Sequence, residues 1–406
     1  MKKAGNELGI TAGQPYGGWA YFVSDAQYTE VEKYIWMADM FPRLRMITTY
    51  GEAGTTYPNN ATQSMQIWAD AVKAHNPNCY ILYGSTNNQC IVAGRPDLST
   101  FIPSAYETYK TYLLLEAAWA RDHGMDAFCV GNENLISAAH ANTGMIPTSL
   151  VRASNVVTAT FSYNHGLTTG DYIFVSGGSD ASFRVADTYA GETVQCTVID
   201  STHITYPSTG TDGTASGTYK VNWSGYEVVR KTKALAVAVR AIAPDMKIMY
   251  TESQGHVTPW INLGITPGVD LDQFGYNGYG TGNNEASFIA WKAETDACFA
   301  AFGNNLIITE HNIVLDSGTP LVNNFYPTTR GFEWWADNEI LRRYFYLKDV
   351  LEIEEIYLFG PMLYPLFSNS WPENAYNNAY LVGEFKPIID RLLGKPRTKV
   401  LIGTNP

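Results

Sequence analysis

Apolar positions along the first third of the chain keep two periods in alternation. The run Leu8 to Ala12 is a predicted strand, and it ends in the loop Gly13-Gln14-Pro15-Tyr16-Gly17-Gly18. A helix is predicted from about Tyr28, where Thr29 and Glu32 have capping-box spacing and Val31, Ile35 and Ala38 share a face. Arg45 to Tyr50 reads as a second strand, followed by Gly51-Glu52. Ala61 to His75 reads as a helix with Met65, Trp68 and Val72 on one side, stopped by Asn76-Pro77. Cys79 to Tyr83 is the third strand. A third helix, Tyr106 to His123, closes on Gly124. The fourth strand, Asp126 to Val130, runs straight into Gly131-Asn132-Glu133-Asn134.

The rhythm then changes. From about Ser149 to Asn222 the chain turns to Thr, Ser, Gly, Val and Tyr. Alternating stretches such as Tyr172-Ile173-Phe174-Val175 and Val194 to Val198 are separated by the turn signals Ser176-Gly177-Gly178 and Thr211-Asp212-Gly213. Beyond it the strand–helix order returns. Predicted helices cover Tyr226 to Ile242, a short piece over His256 to Leu263, Glu285 to Phe302, Phe332 to Leu347 and Phe385 to Leu393. Predicted strands cover Lys247 to Thr251, Phe274 to Tyr279, Leu306 to Thr309 and Ile353 to Phe359. With the β-rich stretch removed, eight strand–helix units remain. The expected fold is α/β: a (β/α)8 TIM barrel built from residues 1–148 and 223–406, with an all-β module, 149–222, inserted after strand four. No Gly-x-Gly-x-x-Gly turn follows the first strand, so nothing supports a dinucleotide cofactor.

Composition narrows the partners. Of 406 residues, 45% are hydrophobic, 13% aromatic and 16% charged, a profile for a large buried core. A formal charge of −12 without basic runs argues against nucleic acid and for an uncharged polar ligand. Ten Trp and 27 Tyr serve core packing first, but flat aromatic faces also suit sugar rings. The five cysteines are scattered, with neither disulfide nor metal spacing. Nothing is long and apolar enough to span a membrane, and no apolar segment follows Lys2-Lys3, so the chain reads as soluble, with secretion and virion association both open.

In a barrel of this kind the loops after the strands form one shared mouth, so ionisable residues just past each strand are the candidates. Four acids qualify: Glu52, Glu133, Glu252 and Glu310. A lone glutamate there is commonly a salt-bridge partner. Glutamates after strands four and seven are different, because those strands face each other across the mouth. Retaining glycoside hydrolysis needs two such carboxyls about 5 Å apart, one attacking the anomeric carbon and one protonating the leaving oxygen.

Here the chain resembles clan A of the glycoside hydrolases, the cellulase, mannanase, xylosidase and β-galactosidase superfamily. The resemblance lies in Asn132-Glu133 at the end of strand four and in Ile307-Ile308-Thr309-Glu310 at the end of strand seven. It implies a cofactor-free β-glycosidase acting on an oligo- or polysaccharide. Glu133 would be the acid/base, Asn132 the partner of the sugar 2-hydroxyl and Glu310 the nucleophile. It also implies a tyrosine near the end of strand six against the nucleophile, for which Tyr279 in Asn277-Gly278-Tyr279 is the first candidate and Tyr276 the second. Arg45 on strand two would brace the nucleophile, with a salt bridge at the barrel bottom as its alternative. The family's histidine on strand three has no counterpart in Tyr80-Ile81-Leu82-Tyr83. Its strand-eight tryptophan is absent from Tyr357-Leu358-Phe359-Gly360, and Trp371 is the substitute.

Two further residues are candidates near the site. His311 follows the nucleophile and either lines the pocket or is structural, and Glu252 is the rival acid or a sugar-hydroxyl ligand. Within the module, Asn164 to Asp171 resembles a short β unit of phage tail and bacterial surface proteins, and this suggests the competing function. In that alternative the barrel is a non-catalytic carbohydrate-binding or virion-associated adhesion protein. No His-rich or multi-Asp cluster suggests a metal.

Overall fold

A computed structural model describes residues 7–13, 35, 38–39, 41–48, 60–85, 102–135, 144–186, 194–278, 285–311 and 342–359. Eight parallel strands close into a barrel. They are β1 (Glu7–Gly13), β2 (Arg43–Thr48), β3 (Tyr80–Ser85), β4 (Ala127–Asn132), β13 (Lys247–Ser253), β14 (Gln273–Asn277), β15 (Leu306–His311) and β16 (Glu355–Phe359), and β1 closes the ring by pairing with both β2 and β16. The numbering jumps because eight antiparallel strands intervene between β4 and β13.

The strands are buried on both faces, as a parallel sheet covered by helices requires. Every residue of β4, β14 and β15 is buried, and in β13 only Lys247 is not. The described helices include α1 (Asn60–His75), α2 (Pro103–Asp122), α3 (Gly225–Ile242), the short α4 (Thr258–Leu263) and α5 (Glu285–Phe302). In α3, Val228, Thr232, Leu235, Ala236 and Val239 recur at helical spacing and are buried. Ser224 caps this helix by accepting a hydrogen bond from the Glu227 backbone N–H at 3.3 Å. Truncating Leu235, which is fully buried, would cost about 2–5 kcal/mol.

The helix expected over Phe332 to Leu347 is described from Arg342. It runs as α6 (Arg342–Phe345) and continues as a π-turn over Tyr346–Val350. The helix expected over Phe385 to Leu393, and most of the one from Tyr28, lie outside the described residues.

Inside the barrel, Leu82, Ala127, Cys129, Met249, Ile307 and Tyr357 form an apolar plug. Below it, at the strand starts, Glu355 is held by Arg43 at 3.2 Å, Lys247 at 3.6 Å and the Gln273 side-chain amide at 2.9 Å. Above it the wall narrows around Gly275, where a Cβ would come within 2.5 Å of Thr251 Oγ1 and 2.7 Å of the Thr309 methyl. Polar side chains crowd the mouth only because glycine makes this room.

The intervening strands form two antiparallel sheets. One has five strands in the order β11 (Gly213–Thr214), β5 (Ser149–Ala153), β6 (Val156–Thr160), β10 (His203–Pro207), β9 (Thr197–Asp200). The other has three, β12 (Tyr219–Trp223), β7 (Tyr172–Gly177) and β8 (Val194–Gln195). Ser154 and Asn155, at φ 52° and 61°, make the two-residue turn that joins β5 to β6 and matches the strands' twist. The three-stranded sheet is fastened to α3. Asp171 accepts hydrogen bonds from Trp223 Nε1 at 2.9 Å and Lys231 Nζ at 3.1 Å, and Trp223 packs edge-on against Tyr106 of α2.

Candidate active site

Strict alternation along β4 and β15 would send the wrong side chains inward. Cys129 and Ile307 belong to the interior plug, so period two would point Gly131 and Thr309 inward and Asn132 and Glu310 outward. Both strands break register at this point. Between Cys129 and Asn132, β4 spends three steps where β13 spends two, Met249 to Thr251. Between Ile308 and His311, β15 likewise spends three against two on β16, Ile356 to Leu358. Each is a β-bulge, one extra residue that turns the following side chain to the other face. The result brings Asn132 and Glu310 over the plug. The chain then leaves β4 through Glu133, whose φ of 55° is rare for a residue with a Cβ and is held by a 2.8 Å hydrogen bond from its N–H to the Thr251 carbonyl.

Six side chains meet there in one network. Arg45, only 1% exposed, donates from Nη1 to Glu310 Oε1 at 2.7 Å and to the Thr309 carbonyl at 3.2 Å, and from Nη2 to Asn132 Oδ1 at 2.7 Å. Asn277 donates from Nδ2 to Glu133 Oε1 at 2.7 Å and to Asn132 Oδ1 at 3.3 Å. Its own Oδ1 accepts from Thr309 Oγ1 at 2.7 Å, which fixes the amide's orientation. Asn277 therefore lies between the two glutamates, within hydrogen-bonding reach of one and in contact with the other.

Burial pushes both carboxyls above the ordinary carboxylate range. At Glu310 the Arg45 guanidinium pulls the other way, and the nearby Glu133 adds to the rise. At Glu133 the hydrogen bond from Asn277 and the charge of Arg45 oppose the rise. Two coupled carboxyls beside one buried cation favour holding a single proton between them. Arg45, at 2.7 Å from Glu310, favours the ionised form of Glu310 most directly.

The other sequence candidates are distributed differently. Arg45 is not at the barrel bottom; Arg43 takes that place against Glu355. Tyr276 faces away from the mouth. Its ring lies against Gly278 and the Trp291 indole, and its hydroxyl is among Thr295 and Glu294 of α5. His311, past the bulge, also turns outward and sits 6.3 Å from the Tyr344 ring. Glu252 is fully buried on the outer side of β13, bonded to Tyr250 at 2.6 Å rather than facing the cavity. Glu52, Tyr279 and Trp371 lie outside the described residues. Asn277 and Thr309 were not singled out from the sequence. Asn277 lies in the stretch Asn277-Gly278-Tyr279 that the sequence offered for its tyrosine, and that position was the available signal. Among the described residues, no three His, Cys, Asp or Glu side chains group so as to hold a metal. No described helix is long and apolar enough to cross a membrane.

No family model matches the chain, and no curated protein matches it in sequence. Solved structures do. A GH113 β-1,4-mannanase matches at 12% identity and TM-score 0.46, over 93% of this chain and 99% of that one. A glycoside hydrolase family 5 enzyme from Prevotella bryantii B14 matches at 12% and 0.48, over 94% and 95%. A GH10 endoxylanase from a sugarcane soil metagenome matches at 12% and 0.45, over 88% and 86%. All three are glycoside hydrolases. At such identities the likeness concerns the barrel and not an activity.

Proposed function

We propose that this protein is a retaining β-glycoside hydrolase acting on a β-linked oligo- or polysaccharide by double displacement, without cofactor. The observation that carries the proposal is the Arg45–Asn132–Asn277 network, which ties Glu310 and Glu133 into one site at the ends of strands four and seven. Glu310, whose ionised form Arg45 favours, is the group suited to attack the anomeric carbon. Glu133, raised by burial, carries the proton that the leaving oxygen takes. The covalent glycosyl intermediate is then opened by water, whose proton returns to Glu133. Asn132 Oδ1 is occupied by two donors, which leaves its Nδ2 to donate to a sugar hydroxyl. In this proposal Tyr279 supplies a hydroxyl near Glu310, and Trp371 a platform for a sugar ring.

The test is a panel of aryl β-glycosides and β-linked polysaccharides assayed with wild type, Glu133→Ala and Glu310→Ala. Azide should restore turnover of an activated substrate, giving the β-glycosyl azide with Glu133→Ala and the α-azide with Glu310→Ala. Near-normal activity in both variants would refute the assignment. Sugar binding without turnover of any substrate by wild type would favour the carbohydrate-binding alternative.

A further inference from the structure

The rival acid of the sequence, Glu252, is left without a role in that mechanism, yet it is fully buried, and burying a carboxyl is costly unless its hydrogen bonds are satisfied. Its surroundings are specific. Oε2 accepts from Tyr250 Oη at 2.6 Å and from the Leu135 backbone N–H at 3.3 Å. Oε1 accepts from the Ser253 N–H at 3.0 Å and the Ser253 hydroxyl at 3.4 Å. Each oxygen faces one backbone N–H that can only donate and one hydroxyl that can donate or accept, so every hydrogen-bonding position of the carboxyl has a partner. Tyr250 is in turn locked by stacking on Trp260 of α4, ring centroids 4.2 Å apart. Its hydroxyl oxygen accepts the Asn134 N–H at 3.0 Å.

These contacts converge on one stretch of backbone. The N–H groups of Glu133, Asn134 and Leu135 go in succession to Thr251 O, Tyr250 Oη and Glu252 Oε2, all on β13. This is the stretch in which Glu133 holds φ 55°, a conformation that persists only where its neighbours over-determine it. A backbone rotation here would swing the Glu133 carboxyl out of reach of Asn277. We propose that Tyr250 and Glu252 form a brace on β13 that aims the Glu133 carboxyl, making Glu252 a positioning residue for proton transfer to the leaving group. The proposal rests on Glu133 being the acid/base. Barrel-wall packing alone would explain the stacked Tyr250 ring, but not why its hydroxyl and a buried carboxyl bind two consecutive amides after Glu133.

The test uses Glu252→Gln, with Tyr250→Phe as the second variant should the first fold poorly. In either orientation Gln turns its NH2 toward a backbone N–H, that of Leu135 or that of Ser253, and Phe removes the hydroxyl that joins Asn134 to Glu252. Two measurements are made on the full-length chain. In amide hydrogen exchange the Asn134 and Leu135 amides should lose protection in both variants, while α3 and α5 keep theirs. In kinetics, kcat/KM should fall about 10- to 100-fold for an alkyl β-glycoside, whose leaving group needs a well-aimed acid, and at most about threefold for the 2,4-dinitrophenyl glycoside, which needs none. Equal losses on both substrates would overturn the proposal, because general destabilisation does not sort substrates by leaving group. Unchanged protection at Asn134 and Leu135 would overturn it as well. Should wild type hydrolyse no glycoside, the catalytic assignment fails, and the exchange result alone then decides whether the brace exists.

Discussion

Arg45→Met is the most informative perturbation of the network, because one side chain holds Glu310, Thr309 and Asn132 together. Methionine keeps the apolar stem and deletes three hydrogen bonds, one of them to a carboxylate in a pair whose side chains are 1% and 5% exposed. A buried pair broken on one side costs about 3–5 kcal/mol while the remaining charge persists. Glu310 escapes part of that cost by binding a proton. Its carboxyl is already raised by burial and, without the guanidinium, rises further. The sign for stability follows from linkage. A carboxyl raised in the folded state contributes stability below its unfolded value and loses it as pH rises through the folded value. The variant's deficit is therefore smallest in acid and grows as pH rises from the wild-type value of Glu310 toward the variant's higher one.

The sign for activity is opposite, because the nucleophile works only when ionised. Losing about 1.4–4 kcal/mol of attraction raises the carboxyl by about one to three units, so the acid limb of the profile should move up by that much, and kcat/KM on the acid side of the wild-type limb should fall about 10- to 1000-fold. It should recover toward alkaline pH. The assay is kcat/KM against pH for an aryl β-glycoside, with thermal melts at the same pH values and Arg45→Lys as the charge-retaining control. A loss uniform across pH, or an acid limb that stays in place, would refute the role given to Arg45.

Other outcomes follow from the same geometry. Asn277→Ala removes a donor that opposes the rise at Glu133, so the alkaline limb of the pH profile should move to higher pH; kcat/KM on unactivated substrates should drop about 10- to 100-fold. Glu252 is pushed up to about 8 by burial, so its contribution to stability is present below the ordinary carboxylate range and lost as pH rises through 8. Melting temperature should therefore fall between pH 5 and 9, less steeply in Glu252→Gln, and an equal slope in the two proteins would count against the shift. Asp171→Ala leaves Trp223 Nε1 and the Thr168 N–H and hydroxyl without their acceptor and Lys231 with Glu227 alone, and should destabilise the inserted sheets by about 2–4 kcal/mol, seen as faster proteolysis within residues 144–223. Gly275→Ala forces a Cβ against Thr251 and Thr309, and should cost about 1–3 kcal/mol in a melt and displace Asn277.

Much of this was legible in the chain. The alternation of periods gave eight strands and the break between strands four and five, because helices and buried strands differ in length and spacing wherever the core is continuous. Strand four and strand seven were each found a residue or two short, since the glycine after Val130 and the polar pair Glu310-His311 look like loop. Strand six was expected to reach Tyr279 and stops at Asn277. Arg45 was left between the mouth and the bottom, a choice that only the register of β2 against its neighbours resolves.

The facing of side chains was the larger gap. From sequence, Glu310 and His311 are adjacent polar residues with no reason to part company, and Glu252 after strand five looks as available as Glu133 after strand four. A bulge is one extra residue measured against a neighbouring strand, so no pattern within the strand itself announces it. The sequence by itself determined the barrel, the place of the insertion and the two glutamates at opposite strand ends, because those follow from local periodicity and chain order. Only the tertiary structure decided that Glu310 turns inward while His311 and Tyr276 turn out, that Asn277 lies between the two glutamates, and that Glu252 supports the backbone behind Glu133, because each depends on how one strand is set against the next.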